Sequence, residues 1–168
     1  MKQRIIDLWN RIKPYIPHYA VDIAIPLTVG IVSAALTRNN MDIYDKLNTP
    51  PLSPPSILFP IVWTLLYILM GISSAMIYTN RIGFREAAKN GLKAYVVSLV
   101  LNFSWSIIFF NLEASFLALL VLVALLFSII KTIIEYRKVY PAAAYLQIPY
   151  AIWVAFAGYL NAGIWLIN

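Results

Sequence analysis

The chain has 168 residues, of which 61% are hydrophobic and only 12% charged, and its formal net charge is +6. Soluble domains carry about a quarter charged residues and roughly half apolar ones, so this balance excludes an ordinary water-soluble fold and places most of the chain in lipid. Cysteine is absent, which removes disulfides, metal–thiolate sites and thiol catalysis together.

Residues 1–18 form a basic N-terminal segment. Within it, Ile5, Leu8, Trp9 and Ile12 recur at spacings of three and four, the pattern of a short amphipathic helix lying in the membrane interface. The flank is long for a secretory leader and no clear small-x-small cleavage site precedes Arg38, so a cleaved signal peptide is not expected. The uncharged run Ile23–Thr37 predicts a first span over about 19–38, with its terminal charges reaching out to the headgroups.

A proline-rich connector follows over about 39–56, with four prolines in Asn48–Ser56. Proline lacks a backbone donor and biases the preceding residue away from helix, so the second span is expected only after Pro55, at about 57–79. The connector reads either as a rigid lid or simply as a stop to helix propagation. Uncharged runs at Ala94–Leu112 and Ala114–Ile130 predict spans over about 93–112 and 114–134. A break at Pro141 precedes the last, at about 142–167. The fold class is therefore an all-α membrane protein, a five-transmembrane-helix bundle forming a single domain over 19–168.

With five spans, the N-terminus and the second and fourth loops share one side of the membrane. That side carries 11 of the 13 Lys and Arg residues, and the other only Arg38 and Lys46. By the positive-inside rule the N-terminus is cytoplasmic and the C-terminus outside. These basic residues flank hydrophobic runs, so membrane lipids, not nucleic acid, are the expected partner.

Acid–base chemistry has little to work with. The only histidine is His18, read as an interfacial group beside the first span, and the span interiors are expected to hold no Asp, Glu, Lys or Arg, which argues against a charge-coupled pump. Glu113 is expected to favour the N-terminus of the following helix. No metal site is expected.

Aromatic and amide groups are the informative ones. Trp and Tyr favour the membrane interface, yet Trp105 and Trp153 fall near the middle of their spans, with Trp63 nearer one end. Trp63 and Tyr67 are separated by four residues; Asn102, Trp105 and Phe109 fall at i, i+3 and i+7; Trp153, Ala157 and Leu160 or Asn161 repeat the pattern. Each set shares a helix face. Indole faces beside amides suit a cavity that orients a flat ligand; the same stripes also suit helix packing, with amides as polar links between spans. Asn161, nearer a helix end, leans towards packing.

Three stretches, Pro50–Ser73 (PPLSPPSILFPIVWTLLYILMGIS), Leu101–Phe110 (LNFSWSIIFF) and Pro149–Asn161 (PYAIWVAFAGYLN), together resemble the tryptophan-rich sensory protein and translocator protein family, TspO/MBR, from about Ala20 to the C-terminus. The resemblance implies a five-helix bundle, commonly a homodimer, whose first loop closes a pocket for porphyrins such as protoporphyrin IX, sterols or other hydrophobic small molecules. It carries ligand contact to Tyr44, Pro54, Trp63, Tyr67, Asn102, Trp105, Trp153 and Ala157, with Phe109 on the same stripe. Trp63 and Trp153 match tryptophans implicated in light-dependent porphyrin breakdown. No cofactor is required.

Departures from the family pattern limit the transfer. Leu160–Asn168 has no Tyr, Lys or Arg, which argues against sterol recognition through the C-terminal stretch of animal members. Leu52 and Ile57 stand where relatives often have aromatics and Phe103 and Phe116 where many have tryptophan, and only Ala94 and Ser98 form a small-residue pair at i, i+4 on the third span. The expectation is a porphyrin-binding receptor or sensor in a bacterial cytoplasmic membrane. A transporter of a hydrophobic metabolite, or a scaffold, is the alternative.

Overall fold

The computed structural model describes residues 15–168. The amphipathic helix expected over Met1–Tyr15 lies, apart from Tyr15 itself, outside the described residues. The elements are α1 (Ile16–Thr37), a short α2 (Ile43–Lys46), α3 (Leu58–Asn80), α4 (Arg85–Ser106) running on as a π-helical turn (Ile107–Asn111), α5 (Ser115–Val139) and α6 (Pro141–Ile167). Among the described residues there is no strand. Five helices are long and apolar enough to cross a membrane: α1, α3, α4 with its π turn, α5 and α6. Even the shortest, at 22 residues, spans roughly 33 Å at 1.5 Å per residue, matching a hydrocarbon core of about 30 Å.

The helix ends follow local chemistry. After Pro54 and Pro55, α3 begins with Leu58 N–H donating to the Pro55 carbonyl at 3.0 Å, and Pro60 falls in the first turn, where a missing donor costs nothing. Pro141 opens α6 at its first position, the place where proline's fixed φ helps. Arg137 and Lys138 in the last turn of α5 favour its negative dipole end. Two helices run longer than their uncharged cores. α4 begins at Arg85, well before residue 93, and α5 runs to Val139, beyond residue 134, because charged turns outside the apolar core can still be helical. α1 likewise begins at Ile16, which sets Asp22 in its second turn. Asp22 thus lies on the helix just ahead of the uncharged run Ile23–Thr37, within the expected span of 19–38.

The helices close a ring in the order α1, α3, α6, α5, α4, with α4 returning to α1. α5 packs most extensively, between α4 and α6, while α1 leans chiefly on α3. Small residues permit the close approaches. A β-carbon at Gly71 would overlap the α1 backbone at Ile23, and one at Gly30 would enter the Tyr67 ring. The core between the helices is large and apolar, with Met70, Leu125, Ala143 and Tyr150 fully buried.

The first connector folds back over one end of this ring, where three attachments hold it down. Tyr159 Oη donates to the Pro51 carbonyl at 2.8 Å. Asn48 N–H donates to Asn168 Oδ1 at 3.0 Å, and Asn168 Nδ2 returns a bond to the Asn48 carbonyl at 2.9 Å. Pro50 lies so close over Gly163 that a β-carbon there would meet its ring.

Candidate functional site

Beneath the connector lies a cavity of about 370 Å³. Its floor and walls are Trp105 and Phe109 of α4 and its π turn, and Ala157, Leu160 and Ile164 of α6. Phe59 and Pro60 of α3 form another side, and Met41, Asp42, Tyr44 and Asp45 close it from above. A second chamber of about 210 Å³ opens between α1, α3 and α4, lined by Gly30, Ser33, Trp63, Tyr67 and Trp105 among others. Met41, Phe59, Pro60, Trp105 and Phe110 line both, so these side chains form the partition between the chambers.

The π turn sets the aromatic wall. Leu112 N–H reaches back five residues to the Ile107 carbonyl at 3.2 Å, and the wider turn ends with Asn111 donating to the Leu36 carbonyl of α1 at 3.1 Å and accepting from Asn40 at 3.0 Å. π turns of this kind recur at functional sites. Upstream, Trp105 stacks on Phe109 with ring centroids 5.6 Å apart and stands 6.2 Å from Trp63. Trp63 also stacks on Tyr67 at 5.7 Å and meets the edge of Tyr150 at 6.1 Å. The rings lie within the range where offset and edge-on aromatic pairs attract.

Six of the nine anticipated residues line one chamber or both. Tyr44, Trp105, Phe109 and Ala157 line the first cavity, and Trp63, Tyr67 and again Trp105 line the second. Three anticipated residues line neither chamber. Pro54 lies in the connector, where its carbonyl accepts a hydrogen bond from Tyr44 Oη at 3.2 Å. Asn102 is buried behind the aromatic wall and donates to Tyr150 Oη at 3.3 Å, so its amide is engaged between α4 and α6. Trp153 is half-buried beside Phe59, 5.9 Å between ring centroids, and its indole N–H is enclosed without a partner. Asn161 has the linking role expected of it: Oδ1 accepts from Trp105 Nε1 at 3.2 Å, and Nδ2 donates to the Ser115 carbonyl at 2.7 Å. That bond fixes the Trp105 ring against the cavity.

Phe59 was missed, although it stands one turn before Trp63 on the same stripe and extending that stripe backwards would have found it. Its ring meets Tyr44 edge-on at 4.9 Å, so it joins the connector to Trp153. Burial pushes the Tyr44 phenol above its ordinary pKa, which keeps it protonated and able to donate to Pro54. At the rim, the hydrogen bond and charge of Lys46 hold the Asp42 carboxyl below the usual carboxylate range. Among the described residues no group of three His, Cys, Asp or Glu side chains converges as a metal site would require.

A closed ring of five membrane-spanning helices with an aromatic, almost wholly apolar cavity capped by a loop defines an integral membrane protein built around a hydrophobic chamber. The chain belongs to the TspO/MBR family, whose model matches residues 23–166. It is 34% identical over 151 residues to the tryptophan-rich protein TspO of Chlorobaculum tepidum, covering 89% of this chain and 94% of the relative. It is 38% identical over 125 residues to the protein CrtK of Rhodobacter capsulatus, covering 74% and 78%. With the translocator protein of Bos taurus it shares 33% identity over 156 residues, 92% of each chain.

Proposed function

We propose that the chain is a membrane receptor or sensor that binds porphyrins or related hydrophobic ligands in the capped cavity. The observation that carries this reading is the cavity itself: about 370 Å³, within the roughly 300–1,000 Å³ common for small-molecule sites, and walled by stacked aromatic rings. Flat apolar faces suit a flat conjugated ligand, and turning the Phe59 and Met41 side chains would join the second chamber for a macrocycle. Light-dependent breakdown of a bound porphyrin is the accompanying chemistry, with Trp63 and Trp153 as the participating indoles. On this reading the basic helix ends face the cytoplasm of a bacterium, the capped end and C-terminus lie outside, and two copies associate as a homodimer.

Titration of the purified protein with protoporphyrin IX in darkness, followed by tryptophan quenching, tests the binding. Saturable quenching weakened at least tenfold by Ala157→Leu, which fills the cavity, supports it; no saturable binding, or indifference to Ala157→Leu in a folded variant, refutes it. Under illumination, the double variant Trp63→Phe, Trp153→Phe is expected to slow porphyrin loss, and an unchanged rate would remove the photochemical part.

One observation favours transport as a second reading. Ile31, largely exposed on the outer face of α1, also lines the second chamber, which places that chamber beside the lipid. Porphyrin flux into vesicles carrying the protein, absent from empty vesicles, would select transport over reception.

A further inference from the structure

Far from the capped cavity, towards the basic end of the bundle, a set of polar side chains has no part in the site described above. Asp22 sits half-buried on α1, and the tight backbone contact of Asp22 and Ile23 with Gly71 fixes it against α3. Three residues after Gly71, the buried Ser74 faces its carboxyl, and His18 stands one turn earlier, its ring 5.4 Å from Tyr78. From α4 comes Tyr95 and from α5 Tyr136, which packs its ring on Gly91. Both phenols lie within electrostatic reach of the Asp22 carboxyl. Tyr136 is completely buried and Tyr95 nearly so, and neither hydroxyl has a hydrogen-bond partner.

Two enclosed, unpaired phenols are uncommon in a folded protein and call for something to bond to. A carboxylate set in a membrane helix calls for a neutralising partner, and among the described residues no Lys or Arg pairs with Asp22. The titratable groups facing it are His18 on its own helix, Tyr95 and Tyr136; α3 adds the Ser74 hydroxyl and, beyond His18, Tyr78. The chemistry of this set selects its occupant. Three hydroxyls with hydrogens to donate surround one anionic oxygen pair, an arrangement that solvates a carboxyl and a shared water. A metal cation would instead need several anionic or carbonyl oxygens.

We propose that Asp22, Ser74, Tyr95 and Tyr136 form a second site that takes up a proton from the basic side of the membrane and holds it on the Asp22 carboxyl with ordered water bridging to the phenols. The balance is simple: one proton passes from bulk water to a carboxylate oxygen, with no redox partner. Because α1 carries Asp22 and also walls the second chamber through Gly30 and Ser33, loading the site alters how α1 seats beside Trp63 and Trp105.

The test uses the full chain in a bilayer of zwitterionic lipid, with no porphyrin, so its failure is separate from failure of the proposed function. Acid titration is followed by infrared difference spectroscopy of the carboxylic C=O stretch and by tryptophan emission. One carboxyl band is expected to vanish in Asp22→Asn, to persist in Asp42→Asn and Asp45→Asn, and to shift in Tyr95→Phe and Tyr136→Phe, with an emission change at the same midpoint lost in Asp22→Asn. Should Asp22→Asn not fold, Asp22→Glu serves instead, and must move the band. An unchanged band in the folded Asp22 variant, a band indifferent to both phenylalanine variants, or an emission change that survives without Asp22 overturns the proposal. So does a midpoint that moves with sodium concentration at fixed pH, since the occupant would then be an alkali cation.

Discussion

Trp105 shows how one side chain serves both structure and site. Its ring forms a wall of both chambers, while its N–H is spent on Asn161. Replacing Asn161 with Leu leaves the Trp105 indole N–H unpaired inside the bundle, a desolvated group costing about 1–3 kcal/mol, whereas the Ser115 carbonyl, in the first turn of α5, keeps its partner within the helix. The thermal midpoint in detergent is expected to fall clearly, and porphyrin affinity with it as the ring loosens. Trp105→Phe removes the donor to Asn161 together with part of the ring that walls both chambers, and is expected to lower affinity at least as much. A midpoint unchanged in Asn161→Leu would mean that water replaces the amide.

Among the elements, the capping connector is held by contacts of low intrinsic strength. Tyr44→Phe removes one bond to the Pro54 carbonyl, worth about 1 kcal/mol, and Gly163→Val drives a side chain into Pro50. Both are expected to leave helicity untouched while speeding ligand exchange and exposing the connector to protease; equal cleavage of variant and parent would show that the remaining ties suffice. The α2 ion pair adds a pH term. Asp42 lies below its ordinary pKa in the folded protein because of Lys46, so its stabilisation is present above the ordinary carboxylate value and fades as pH falls through the lowered one. Protease protection of the connector should therefore weaken slightly in acid, and Asp42→Asn should abolish that dependence.

At the scale of the whole molecule, the absence of cysteine makes the topology directly testable. A cysteine introduced at Thr49 should react with an impermeant maleimide added outside intact cells, and one at Asn90 only after lysis; the opposite pattern would invert the proposed orientation. The five spans were legible in the sequence because charge avoids lipid, so the gaps between charged residues bound each helix from inside. Their true ends were not, since the Arg85 and Lys138 turns are helical for reasons of hydrogen bonding that composition does not record. Stripe spacing put Trp63, Tyr67, Trp105, Phe109 and Ala157 on the faces that line the chambers. It left open whether Asn102 and Trp153 would meet the cavity or a neighbouring helix, because spacing gives a direction and not the neighbour standing there. Tyr150, which takes the Asn102 amide, comes from another helix. Asp22 falls within the expected first span as a terminal charge, because the uncharged run starts just after it; its seat against α3 was not legible, since Gly71 comes from another helix.

The π turn at Ile107–Asn111 amounts to one residue more than an α-helix of the same rise would hold. If the same residues formed a regular α-helix, everything beyond the turn would be rotated by about 100°, while Trp105 and its bond to Asn161 stay in place upstream. Asn111 would then swing off Leu36 and Asn40, the points where the third span ties α1 and the connector together. The surplus residue thus acts as a shim, setting the angle of the fastening separately from that of the cavity wall.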